Sequence, residues 1–183
     1  VCSSDLCLED CGTDGAKIED RFVAIFGGGL PTSPTHSASD GTGNWIYMVD
    51  VETGKVLYKR GGVARAAASD EIVGAVAADI ATIDKNNDSL IDTMYFGTSA
   101  GYLYKVDLGF APLEISASTG RIEDPVGLDG RFDPFHIFTT FGRPIYYEIS
   151  VVNLPSRRAY ALAFGTGNRW NLWDFGGQTG RFY

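Results

Sequence analysis

Three apolar stretches that each run into a Phe-Gly pair divide this chain at nearly even intervals. They are Phe22-Val-Ala-Ile-Phe26-Gly27, Met94-Tyr-Phe96-Gly97-Thr98 and Ala161-Leu-Ala-Phe164-Gly165-Thr166. Each is followed by a loop and then an aromatic stretch. These are Gly43-Asn-Trp-Ile-Tyr47-Met-Val-Asp50, Gly101-Tyr-Leu-Tyr104-Lys-Val-Asp107 and Asn168-Arg-Trp-Asn-Leu-Trp173-Asp174. The repeating unit is a strand, a Phe-Gly turn, an aromatic strand and an Asp-led turn. A further strand completes the first copy, Asp50-Val-Glu-Thr-Gly54-Lys-Val-Leu-Tyr58, whose Glu-Thr-Gly-Lys turn joins two alternating strands. Repeated antiparallel units punctuated by glycine and aromatics point to a propeller, a solenoid or a sandwich. The expected fold is all-β, built of propeller-type blades whose aromatic strands pack between neighbouring sheets.

A blade takes ~40–50 residues, so 183 residues hold about three or four. A closed ring needs at least four. The expectation is therefore a partial propeller, with further blades of the same polypeptide outside this sequence. The interval between copies, roughly 70 residues, exceeds one blade. Insertions are expected at Gly61–Ser69 and at the Gly/Pro-rich Gly109–Phe141, and helix only over Val63–Ala68.

Between the first and second copies lies Asp84-Lys-Asn-Asn-Asp88-Ser-Leu-Ile-Asp92. Asp84, Asn86, Asp88 and Asp92 carry side-chain oxygens at loop positions 1, 3, 5 and 9, and Leu90 at position 7 offers a backbone carbonyl. That is the oxygen spacing of an EF-hand-type calcium loop. Alternate residues of a tightly curled loop point inward, and a dication relieves the repulsion among three carboxylates. The loop is not a full EF-hand: Ser89 stands at the glycine position and Tyr95 at the bidentate Glu position. The flanks, Val73–Ile80 before it and Thr93–Gly97 and Tyr102–Asp107 after it, read as strands. The competing reading is a metal-free Asn/Asp-rich hairpin, since these residues favour turns by bonding their own backbone.

Fifteen basic and 23 acidic residues give a net charge of −8. No Lys/Arg cluster follows a phosphate backbone, which argues against nucleic acid as a partner. No apolar run reaches the length of a membrane span. Residues 1–20 are polar and hold Cys2, Cys7 and Cys11, and form an expected leader ahead of a propeller over 21–183. The cysteines lack zinc spacing. An exported, oxidising setting, with two of them paired, is one reading, and a reduced flexible tail is the other.

Catalytic signals are sparse. His36 and His136 are the only histidines, and each reads as a surface or packed residue. No phosphate-loop or His-Glu-x-x-His motif occurs. Gly27-Gly28-Gly29 is followed by Pro31 and Pro34 and reads as a turn, and Asp50, Asp107 and Asp174 read as turn starters. The expectation is a non-enzymatic protein.

The run Val76–Leu108 resembles the calcium-loop blade of the PilY-type proteins, which are type IV pilus assembly and tip-associated adhesins. An Asp-rich loop leads to Met-Tyr-Phe96-Gly97, then Gly101-Tyr-Leu-Tyr-Lys-Val-Asp107-Leu108. Trp45–Tyr58 is similar to the blade strand before the loop, and Gly142–Ile145 with Ala159–Gly167 to the blade after it. The resemblance covers roughly Phe22 to Asp174. It implies a quinoprotein-like propeller that binds Ca2+ through Asp84, Asn86, Asp88, Leu90 and Asp92, with Ser89 where the family commonly has Gly. It further implies a pilus-associated protein at the bacterial cell surface, whose partners are pilins or minor pilins, or a host or surface receptor. Two other expectations stand beside it. One is a fragment of a quinoprotein dehydrogenase, for which no cofactor site is evident. The other is an integrin-type adhesion propeller, which would repeat its calcium loop in several blades.

Overall fold

Alternating apolar and polar residues around the Phe-Gly stretches dictate strands that bury one face, and the pairing follows them. The computed structural model describes residues 2–9, 17–30, 43–62, 72–109, 113–116, 118–122, 132–167 and 180–183. The expected helix at Val63–Ala68, most of the Gly61–Ser69 insertion, the aromatic stretch at 168–174, His36 and Cys11 lie outside them. Helix among the described residues is a single 3-10 turn, Pro155–Arg157.

The first sheet is built on β1 (Cys2–Glu9), β2 (Lys17–Gly27), β3 (Trp45–Asp50) and β4 (Val56–Gly61), an antiparallel meander. The segment expected as a leader thus supplies β1 and the start of β2, with Cys2 and Cys7 on the β1 backbone. The second sheet runs β5 (Ala81–Ile83), β6 (Thr93–Gly97), β7 (Tyr102–Asp107) and β9 (Phe135–Thr139), again antiparallel. Between β7 and β9 the chain crosses to the first sheet, where β8 (Leu113–Glu114) lies parallel to β1. The third sheet pairs β10 (Ser150–Leu154) with β11 (Ala159–Ala163), and Phe164–Thr166 continue against Arg181–Tyr183.

The sheets stack in chain order. Val23, Ile46 and Met48 of the first meet Met94, Phe96, Tyr104 and Val106 of the second in one apolar layer. The opposite face of the second sheet, with Ala81, Ile83, Tyr95 and Leu103, meets Ile145, Ile149 and Phe164 in another. Covered on both sides, β6 is buried at all five residues. Burying each large side chain contributes about 1.5–3 kcal/mol, so this central sheet anchors the molecule. All-β sheets stacked face to face with no closure are the expected partial propeller.

Two strand expectations are corrected. Val73–Ile80 is extended but unpaired as a strand, and only Ala81–Ile83 joins the ladder. The expected insertion at 109–141 contains a true strand, β9, that completes the second sheet. Other described residues of that insertion tie the first two sheets together. Leu113, Ile122 and Phe132 are buried in their shared layer, the Ile122 N–H donates to the Leu57 carbonyl at 2.6 Å, and Arg60 Nε pairs with Asp133 Oδ1 at 2.9 Å.

Candidate metal centre

The Asp84–Asp92 loop connects adjacent strands β5 and β6, whose last register pair is Ile83 with Thr93. At its base the Asp92 N–H donates to the Ile83 carbonyl at 2.9 Å, and the Leu108 N–H donates to the Asp92 carbonyl at 2.8 Å. The loop is therefore clamped to the centre of the molecule, while Asn86–Ser89 are exposed.

Inside the loop, acceptors curl the backbone. Asp84 Oδ1 accepts the N–H groups of Asn87 and Asp88, and its Oδ2 accepts Ser89 N–H at 2.7 Å. Asn86 Oδ1 accepts Asp88 N–H at 3.1 Å, and its Nδ2 donates to Asp88 Oδ2 at 2.6 Å. Asp88 Oδ1 accepts Leu90 N–H at 2.9 Å. Asp92 Oδ2 accepts Lys85 N–H at 2.5 Å. Two residues make the reversal with left-handed backbones, Asn87 at φ 64° and Ser89 at φ 73°. Ser89 thus adopts the conformation for which the motif ordinarily uses glycine.

The predicted ligands are gathered in one nine-residue turn. Their carboxylates do not meet at one point: among the described residues no three His, Cys, Asp or Glu side chains form a metal-holding group. Asp84 and Asp88 face the loop's own amides. The donor chemistry nevertheless fits a hard cation, with three carboxylates, an amide oxygen and a backbone carbonyl. A carboxylate oxygen has lone pairs beyond those one N–H engages. Asp92 carries the clearest signal. It is 1% exposed, and its hydrogen-bond donor is an uncharged backbone N–H. A buried carboxylate is costly unless it is paired, and a cation at the loop would pair it.

Sequence reasoning missed the anchor beside the loop. Lys85 Nζ reaches Asp107 at 3.3 Å, and Lys105 Nζ reaches it at 2.6 Å. Burial pushes the Asp107 carboxyl upward, but hydrogen bonding to Lys105 and the Lys85 charge outweigh it and hold the group below the ordinary carboxylate value. Asp107 was readable as a turn starter, and it does accept Gly109 N–H at 3.3 Å. Nothing in the spacing marks Lys85 as its partner. Asp50 starts its turn as expected, accepting Glu52 and Thr53 N–H groups at 2.8 and 3.2 Å. The turn expected at Gly27–Gly29 is instead the end of β2: Gly27 is its last residue, the Gly28 N–H donates to Trp45 O at 2.7 Å, and the N–H of Gly29, at φ 80°, donates to Val76 O at 2.9 Å. His136 is exposed on β9, bonds Phe138 O through Nε2 at 2.9 Å and packs edge-on against Tyr102.

No protein-family model matches this sequence, and no curated protein matches it. Among solved structures the chain is similar to the crystal structure of the Pseudomonas aeruginosa PilY1 C-terminal domain, with a TM-score of 0.50 and 20% identity. The match covers 91% of this chain and 32% of that one, so the chain spans about a third of the length of the structure it resembles. At this identity the likeness establishes a shared fold over that span.

Proposed function

We propose that this chain is a calcium-binding propeller module of a type IV pilus assembly or tip protein, acting at the cell surface without catalysing a reaction. The observation that carries the reading is the Asp84–Asp92 loop, clamped at the base of a central sheet, with Asp92 buried beneath it. The fold shared with the PilY1 C-terminal domain supports the pilus context. Asp84, Asn86, Asp88 and Asp92 would hold the ion through side-chain oxygens and Leu90 through its carbonyl. The ion supplies positive charge that offsets three carboxylates. Asp92 transmits loop order to the strands, because its backbone bonds both β5 and the end of β7. A pilin or minor pilin would engage the propeller in one state of the loop, and pilus assembly, retraction or adhesion would follow that state.

Isothermal titration calorimetry of calcium into the wild type and Asp84→Ala tests the site, and binding of purified pilin subunits in calcium and in chelator tests the partner. The expected result is saturable calcium binding lost in Asp84→Ala, with calcium-dependent pilin capture. Equal heats from the two proteins would sink the metal site. Capture indifferent to calcium would remove its regulatory role.

A further inference from the structure

The Asp84–Asp92 loop contains a cation of its own. Lys85 is the only basic residue between its first and last acids, and it follows Asp84 directly. Its backbone N–H bonds Asp92 Oδ2 at 2.5 Å, so the side chain starts beside the loop's carboxylates. The ammonium reaches a carboxylate outside the loop. Nζ lies 3.3 Å from both oxygens of Asp107, the last residue of β7. Asp107 is the register partner of Thr93, the residue that follows the last acid of the loop. The N–H of its neighbour Leu108 donates to the Asp92 carbonyl at 2.8 Å. Asp107 is thereby fixed against the base of the loop, within reach of Lys85.

Where that ammonium rests decides what the loop can take. Asp84, Asp88 and Asp92 accept N–H groups and keep further lone pairs for a cation. A lysine is a compact charge on a flexible stem with rotatable donors, so it can serve as that cation. Tethered next to Asp84, it competes at an effective concentration of about millimolar or more. The structure gives it another partner. Asp107 pairs with Lys85 and, at 2.6 Å, with Lys105 Nζ. The two lysines differ in origin: Lys85 belongs to the loop, whereas Lys105 lies within β7, in register with Tyr95 and Phe135.

We propose that Asp107 is a positioning residue of the metal site: it holds the Lys85 ammonium off the loop's carboxylates and thereby sets the loop's affinity for a divalent cation. The role rests on the calcium reading and adds to it a residue outside the ligand set. With Asp107 in place the ion displaces no ammonium. Without it Lys85 neutralises part of the loop, and the ion must first expel it.

Isothermal titration of calcium chloride into the whole chain tests this as a double-mutant cycle. Asp107→Asn should raise the dissociation constant roughly three- to fivefold, the scale of an ion pair of this exposure. Loss of one negative charge near a dication would do the same, so the lysine variants decide. Lys85→Met should cancel the Asp107→Asn effect, leaving the double variant within about twofold of Lys85→Met alone. Lys105→Met removes the same charge from the same carboxylate and should leave the Asp107→Asn effect in place. Asp107→Glu, which keeps a carboxylate on β7, should bind calcium nearly as the wild type does. Melting in chelator reports that each variant is folded, and should Asp107→Asn fail to fold, Asp107→Ser replaces it in the cycle. Equal rescue by the two lysine variants would reduce the effect to net charge and overturn the proposal. Rescue by neither, or wild-type affinity in Asp107→Asn, would overturn it as well while leaving the calcium site standing. Absence of calcium binding by the wild type would remove the site itself, and this role with it.

Discussion

Asp92 Oδ2 accepts the backbone N–H of Lys85, so the last acid of the loop closes on its second residue. The same carboxylate is buried at the base of β6. Replacing Asp92 with Ala therefore removes one backbone hydrogen bond, about 1 kcal/mol, together with an anionic ligand. In chelator the lost bond is offset by removal of a buried carboxylate that no cation pairs, so the variant should melt close to the wild type. In calcium the wild type should melt well above the variant, because binding stabilises it by ~2.7 kcal/mol at a hundredfold excess over the dissociation constant. Differential scanning fluorimetry of both proteins in both buffers checks this. An equal calcium shift in the two proteins would place the ion elsewhere.

Ser89 sits at φ 73°, a backbone conformation that costs a side-chain-bearing residue roughly 1 kcal/mol. Its N–H donates to Asp84 Oδ2, a bond that glycine keeps. Ser89→Gly should stabilise the chelated protein by up to about 1 kcal/mol, or ~2–4 °C for a domain of this size, and should not weaken calcium binding. A lower melting temperature would mean that the Ser89 side chain contributes more than its backbone strain costs.

The legible parts of the fold are those whose local pattern and tertiary setting agree. Thr93–Gly97 and Tyr102–Asp107 are strands over the residues read as strands, because both belong to the sheet covered on two faces. The pairing of Phe26 with Tyr47 and of Phe96 with Tyr104 follows the repeat, with ring centroids 5.5 and 5.4 Å apart. In the third copy Phe164 stacks on Tyr183 at 5.3 Å and exchanges two backbone hydrogen bonds with it, a pairing across a separation that no local pattern announces. β9 follows Pro134 and carries exposed Phe135, Ile137 and Phe138, so it lacks the alternation of a half-buried strand, and only its pairing with β7 makes it one. Val73–Ile80 has strand composition, but its groups bond loops: Val76 O accepts Gly29 N–H, and Ala75 N–H donates to Ser99 Oγ. In the loop, residue types pointed to the donors, whereas the Lys85–Asp107 anchor depends on which strand lies beside it.

That anchor makes a pH prediction. The Asp107 carboxyl is held below its ordinary 3.8, against the upward push of burial, by Lys105 and Lys85. A lowered folded value means that the contribution is fully present above about pH 4 and is lost as pH falls through the folded value. The side chain is 43% exposed, so solvent screens the pairs and the effect is about 0.2–1 kcal/mol. Asp107→Asn should lower neutral-pH stability by that amount and flatten the loss of stability below about pH 4. Asp50 is also lowered, its hydrogen bonds from Thr53 and Glu52 and the Arg21 charge outweighing burial, so the variant keeps part of the slope. Urea titrations of both proteins at neutral and acid pH measure the difference. An unchanged acid slope would show that the lysines do not stabilise the Asp107 anion.

The contact between Gly97 and Ile145 admits a double-mutant cycle. Gly97→Ala places a methyl against Ile145, which is fully buried, and overpacking of this kind costs about 1–3 kcal/mol. Ile145→Ala alone empties part of the layer between the second and third sheets, at about 2–5 kcal/mol. Combined, the small side chain at 145 relieves the clash at 97, so the pair should cost less than the two losses together by about 0.5–3 kcal/mol. Chemical denaturation of the four proteins in chelator isolates the term from calcium. If the losses add to within about 0.5 kcal/mol, Gly97 is not required by the close approach of Ile145.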